Sequence, residues 1–128
     1  MVNRNYEIGD LAEFNARSFL EKNGLIFVEK NYEAFNPDGK QVGEIDLIMK
    51  DQKDYVFVEV KYRTKDKYGD VTEMITPQKQ TRIIRATKYF LLREGLWDRV
   101  QSRFDVIGIT PDEKEPIIWI KNAFEVKY

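Results

Sequence analysis

The chain has no cysteine and no histidine. Without cysteine there are no disulfides, thiol nucleophiles or thiolate zinc sites. Without histidine there is no Ser-His-Asp triad, no imidazole ligand and no ordinary general base near neutral pH. Serine is almost as scarce: Ser18 and Ser102 are the two that occur, and neither sits in a G-x-S-x-G turn. Chemistry is left to carboxylates, Lys, Tyr, Thr, Gln and metals held by oxygen. That means Mg²⁺, Mn²⁺ or Ca²⁺ rather than zinc. No apolar run approaches the length of a membrane span. The polar N-terminus also lacks the apolar stretch of a signal peptide. Together these absences predict a cytoplasmic protein that does not engage membranes.

The sequence that remains predicts a single domain, 1–128. Of its 128 residues 42% are hydrophobic and 13% aromatic, enough to bury a core without covalent staples. The net charge of −1 hides an asymmetry. Residues 1–58 hold 7 basic and 11 acidic side chains, whereas residues 59–103 hold 11 basic and 6 acidic ones. A basic middle beside upstream carboxylates suits a protein that binds both a cation and a polyanion; a solvated helix face with scattered charge would give the same count.

Periodicity divides the chain into seven elements. Residues 6–23 predict an amphipathic helix, with Ile8, Leu11, Ala12, Ala16, Phe19 and Leu20 on one stripe and Gly24 as the stop. Strands are expected at about 25–35, 42–50 and 55–64, the last two joined tightly enough for a hairpin. An exposed loop follows at 65–75. Thr76-Pro77 then opens a second helix, with Thr as N-cap and Pro at the first helical position, running to Gly95. Strands at 104–109 and 117–120 complete an α-β-β-β-α-β-β order. This is an α/β fold with a mixed central sheet flanked by helices, its third and fourth strands parallel across the second helix.

The hairpin carries the chemistry. Strict alternation puts Ile45, Leu47 and Met49 on one face and Glu44, Asp46 and Ile48 on the other. In the next strand Val56, Val58, Val60 and Tyr62 share a face, opposite Phe57, Glu59, Lys61 and Arg63. With Asp51 opposite Asp54, Asp46 falls opposite Glu59. At ~5 Å and an effective dielectric of ~20 such a pair repels by about 3 kcal/mol, which disfavours the hairpin unless a divalent cation lies between the carboxylates. Lys61, on the same face as Glu59, can neutralise a phosphate or help deprotonate a metal-bound water. A plain charge ladder facing solvent, with Glu44 and Lys61 as a surface ion pair, accounts for the same pattern. Glu13, on the border of the first helix's stripe, and Gln80, inside the second's, are candidates to reach the carboxylates. A helix-flank acid and a satisfied core amide are the plainer accounts of those two. Lys79, Arg82, Arg85, Lys88 and Arg93 coat the rest of the second helix, as a solvated face or a phosphate-contacting one.

Asp46 on the second strand and Glu59-Val60-Lys61 on the third resemble the PD-(D/E)XK nuclease superfamily, whose restriction endonuclease-like core is αβββαβ. Ile45 stands where the superfamily's name has proline. Other stretches extend the match along the chain: Ala12-Glu13-x-x-Ala16-x-x-Phe19-Leu20, Gly43-Glu44-Ile45-Asp46-Leu47-Ile48, Val56 to Lys61 with Arg63, Lys79-Gln80 with Arg82, and Arg103-Phe104-Asp105-Val106. These resemble the YraN-like family of small bacterial proteins, predicted endonucleases distantly similar to Holliday junction resolvases. Ala12 departs from that family's usual glycine.

The resemblance implies Mg²⁺- or Mn²⁺-dependent hydrolysis of DNA phosphodiesters, on branched or structured DNA. It implies a metal held by Asp46, Glu59 and the Val60 carbonyl, with Glu13 completing the site or holding a second ion. Lys61 would assist the attacking water, Gln80 or Lys79 would orient water or touch phosphate, and Arg63, Lys79, Arg82 and Arg85 would contact DNA. Cutting two strands of a junction would call for a homodimer. The alternative is a catalytically silent nucleic-acid-binding or protein-interaction module that retains the nuclease fold.

Overall fold

The computed structural model describes residues 4–63, 75–111 and 113–125. Helix α1 (Arg4–Lys22) leads into strands β1 (Ile26–Phe35), β2 (Gln41–Asp51) and β3 (Asp54–Tyr62); helix α2 (Pro77–Arg93), β4 (Ser102–Ile109) and β5 (Ile117–Ile120) follow. The strands form one mixed sheet in the order β1-β2-β3-β4-β5. β3 and β4 are parallel and the other neighbours antiparallel, as the crossover through α2 requires. The expected α/β fold with its αβββαβ core is therefore present. The loop expected at 65–75 lies outside the described residues, except for Ile75.

Local chemistry sets the elements that place the site. Asp51 and Asp54 pair across a two-residue turn, with Gln52 at φ 57°. Thr76 caps α2 by accepting from the Lys79 backbone N–H at 3.1 Å, and Pro77 occupies the first turn. Gly95 ends the helix region at φ 69°, a left-handed conformation that favours glycine.

Two apolar layers sandwich the sheet. On the α2 side Tyr32, Ile48, Phe57 and Phe104 pack around Phe90. On the α1 side Leu47, Met49, Val56, Val58 and Ile107 meet the small face Ala12, Ala16 and Leu20. Alanines bring α1 close to the sheet and leave the expected stripe residue Leu11 59% exposed at its flank.

β3 alternates as its sequence predicts, but β2 does not. Ile45 joins Ile48 in the α2 layer, while Leu47 and Met49 lie in the α1 layer. Ile45 was expected on the face of Leu47, so the alternation breaks at Asp46. In register with Asp46 on β1 stands Asn31, between the pairs Lys30↔Leu47 and Tyr32↔Ile45, at φ 51°. The register runs unbroken past this left-handed residue, while the irregularities of β1 lie between Phe27 and Glu29 and between Ala34 and Phe35. The paired β2–β3 ladder stops at Leu47↔Val58, one step before Asp46 would face Glu59.

Candidate active site

Where the ladder stops, a side chain takes over from the backbone. Asp46 Oδ2 accepts the Val60 backbone N–H at 2.9 Å. Asp46 is thereby held beside β3 at Val60, the residue after Glu59, by a side-chain bond rather than by the ladder pair with Glu59 that the register argument expects. Glu59 is buried, 4% exposed, on the face that α2 covers. Its Oε1 lies 2.7 Å from Lys79 Nζ and 3.4 Å from Lys61 Nζ. Lys61 thus pairs with its own strand neighbour rather than with Glu44, which pairs in the ladder with Glu33.

This grouping sets the charges of its members. Burial first, and the Glu59 charge second, push the Asp46 carboxyl up to about 7, against the lowering effect of the Val60 N–H. Burial also pulls Lys61 below the usual lysine range, and the neighbouring Lys79 ammonium adds to this against Glu59. For Lys79 burial works downward too, but bonding and attraction to Glu59 outweigh it and raise the group. The two lysines on one carboxylate are therefore unequal. Lys61 gives up a proton more readily, while Lys79 keeps its charge.

The remaining predicted residues lie around this centre at different removes. Glu13 is within electrostatic range of Asp46 and Glu59, but it stands beside Asn31, and burial raises its carboxyl. Among the described residues no three carboxylates converge on a common ion position. Gln80 does not reach the carboxylates: its Nε2 donates to Ile75 O at 3.2 Å, which ties the start of α2 to the segment before it. Lys79, one residue earlier, points to the centre instead. Arg82 donates to Gln41 Oε1 at 3.0 Å, and Arg85 stands exposed beside Lys88 and Tyr89. Arg63 follows β3 past Lys61, its backbone N–H bonded to Ile109 O at 2.9 Å. Asn31 is the site residue that periodicity missed. A polar residue in an edge strand carries no pattern signal, and only its left-handed φ and its place beside Glu13 single it out.

A stability test follows from Asp46. Its carboxyl titrates near 7 in the folded chain against about 4 when unfolded. The folded state therefore binds the extra proton, and ionising Asp46 costs stability progressively as pH rises from about 4 to 7. Asp46→Asn, neutral throughout, should leave Tm unchanged near pH 4 and raise it at pH 8 in EDTA. The expected gain is about 1–2 kcal/mol, roughly 4–8 °C. Thermal denaturation across that pH range checks it. A lower Tm for Asp46→Asn at pH 8 would contradict this placement of the charges.

The model of the uncharacterised protein family UPF0102 matches residues 12–109. A UPF0102 protein of Coxiella burnetii (strain RSA 331) is 43% identical over 128 residues, covering all of both chains. One from Nitrosococcus oceani is 41% identical over 120 residues, 93% of this chain and 92% of its own. A third, from Klebsiella pneumoniae, is 42% identical over 119 residues, 92% of this chain and 86% of its own. The matched family segment contains Glu13, Asp46, Glu59, Lys61 and Lys79.

Proposed function

The chain belongs to the uncharacterised protein family UPF0102, and we propose that it is a metal-dependent DNA endonuclease hydrolysing phosphodiester bonds, with branched or structured DNA as substrate. One observation carries this: a buried Glu59 bridged by Lys61 and Lys79, with Asp46 held alongside by the Val60 N–H. A surface charge ladder would leave these groups in water. Here the carboxylate is buried and two lysines converge on it.

The donors fit a hard divalent cation. They are all oxygens, and the mutual repulsion of Asp46 and Glu59 is what such an ion relieves. Mg²⁺ or Mn²⁺ would be held by Asp46, Glu59 and the Val60 carbonyl, with Glu13 bearing on the site from α1. When bound, it would supply an activated water and neutralise charge on the phosphate. The chain's own groups do the rest. Lys61, whose Nζ lies 3.4 Å from Glu59 Oε1, orients the attacking water and stabilises charge on the phosphate. Lys79 keeps its charge and holds a phosphate oxygen against the end of α2. Arg63 and the exposed Arg85 lie on surfaces from which they would contact more distant phosphates.

The second reading, a DNA-binding module without turnover, also has an observation in its favour. Glu59 is already neutralised by two lysines, and no third carboxylate joins the pair among the described residues. One set of measurements separates the two. Wild-type protein should cleave a panel of branched, nicked and single-stranded DNA with Mg²⁺ or Mn²⁺. Lys61→Ala should reduce cleavage by about 100-fold or more without loss of fold. Mn²⁺ should raise the wild-type Tm and leave that of Asp46→Asn unmoved. DNA binding without cleavage of any substrate would decide for the silent module.

A further inference from the structure

On the α1 side of the carboxylate–lysine centre lies a cavity of about 260 Å³, lined by Asp10, Glu13, Phe14, Arg17, Lys30 and Leu47. Glu13 lines it and lies within electrostatic range of Asp46 and Glu59, and Leu47, the residue after Asp46, forms part of its wall. Phe14 is 64% exposed on a helix whose other face is buried. Single exposed hydrophobic residues are ordinary. What distinguishes Phe14 is its company, because two carboxylates and two cations share its cavity.

Part of this cavity is already braced. Arg17 Nε bonds Glu21 Oε1 at 3.2 Å, and its guanidinium lies 3.6 Å above the Phe27 ring. Asn31 stands beside Glu13 and lowers its carboxyl against the larger raising effect of burial. The cavity carries no net charge to draw a phosphate, since Asp10 and Glu13 offset Arg17 and Lys30. Its size favours one ring system over a whole nucleotide. A flat neutral ring with donors and acceptors on its edge matches it. The Phe14 face offers stacking, and the carboxylates accept from an exocyclic amino group as they do from cytosine N4.

We propose that this cavity takes a single unpaired nucleobase adjacent to the cleaved phosphate, stacked on Phe14 with its amino edge toward Asp10 and Glu13. The assignment rests on the nuclease reading above and narrows its substrate class. In a continuous duplex each base is covered on both faces by its neighbours and has no free face for Phe14. A nucleotide at a branch, bulge or strand end does. Lys61 and Lys79 hold the backbone while the base turns into the cavity.

The test is binding rather than cleavage. Fluorescence anisotropy in EDTA would compare a labelled duplex carrying one unpaired cytosine with the same duplex carrying an abasic residue at that position. Wild-type protein should bind the cytosine form about 5- to 100-fold tighter. Phe14→Ala should abolish that ratio and leave affinity for the abasic form unchanged, and Phe14→Tyr should keep the ratio. Phe14 is exposed, so both variants should retain the wild-type Tm. Equal wild-type affinity for the two duplexes, or a preference that survives Phe14→Ala, overturns the base cavity while leaving DNA binding intact. Failure to bind either duplex, both in EDTA and with Mn²⁺ added, removes the nuclease reading and the base cavity together.

Discussion

Asp105→Ala should destabilise the protein by about 3–5 kcal/mol, a fall of roughly 12–20 °C in Tm. Asp105 is fully buried on β4 and takes four hydrogen bonds. Arg103 binds it through Nε at 2.9 Å and Nη2 at 3.0 Å. Trp119 Nε1 on β5 and the Asn122 backbone N–H each reach it at 2.9 Å. Arg103 also extends through Nη1 to Asp51 Oδ2 at 3.2 Å, at the tip of the β2–β3 hairpin. Truncating the carboxylate leaves a guanidinium, an indole N–H and a backbone N–H without their acceptor, and each loses a desolvated bond. Asp105→Asn keeps an acceptor but cannot receive every donor, so it should fall between wild type and Ala. Chemical denaturation of the three proteins checks the order. Equal stability of wild type and Asp105→Ala would mean that the network is not worth its desolvation, as some buried ion pairs are not.

Gly43→Ala should cost about 3 kcal/mol and impair the site as well as the fold. A methyl group there would overlap the backbone carbonyl of Arg82 and come within 3.2 Å of Ala86 Cβ. Neither is the flexible end of a side chain, so α2 itself must retreat from β2. Lys79 lies one turn before Arg82 on that helix and would be drawn from Glu59. The expected readouts are a Tm lowered by roughly 12 °C and, on the proposed nuclease reading, a cleavage defect that persists at temperatures where the variant is folded. An unperturbed Tm would show that α2 moves freely over β2, and the close helix–strand packing that fixes Lys79 would have to be abandoned.

Much of this was legible in the chain itself. The α2 start at Thr76-Pro77, the Asp51–Asp54 turn and the parallel β3–β4 pair follow from local capping, turn chemistry and crossover handedness, which act over short stretches. The Glu59–Lys61 spacing and the apolar Val56, Val58 and Val60 face fixed β3 by period alone. Alternation failed at one place, Asp46, where β2 breaks step, the ladder ends and a carboxylate replaces a backbone acceptor. That break lies across from the left-handed Asn31 of β1, fifteen residues away in sequence, and no pattern within β2 records it. Sequence alone determined the fold class, the direction of the strands and the placing of Glu59 and Lys61 on one face. Tertiary structure decided that Lys79 rather than Gln80 meets Glu59, that Glu13 stands beside Asn31, and that Phe14 is left facing an open cavity. These are matters of how helices rotate and translate on a sheet. A helical stripe specifies which face turns inward to within about one residue, and one residue is the whole difference between Lys79 and Gln80.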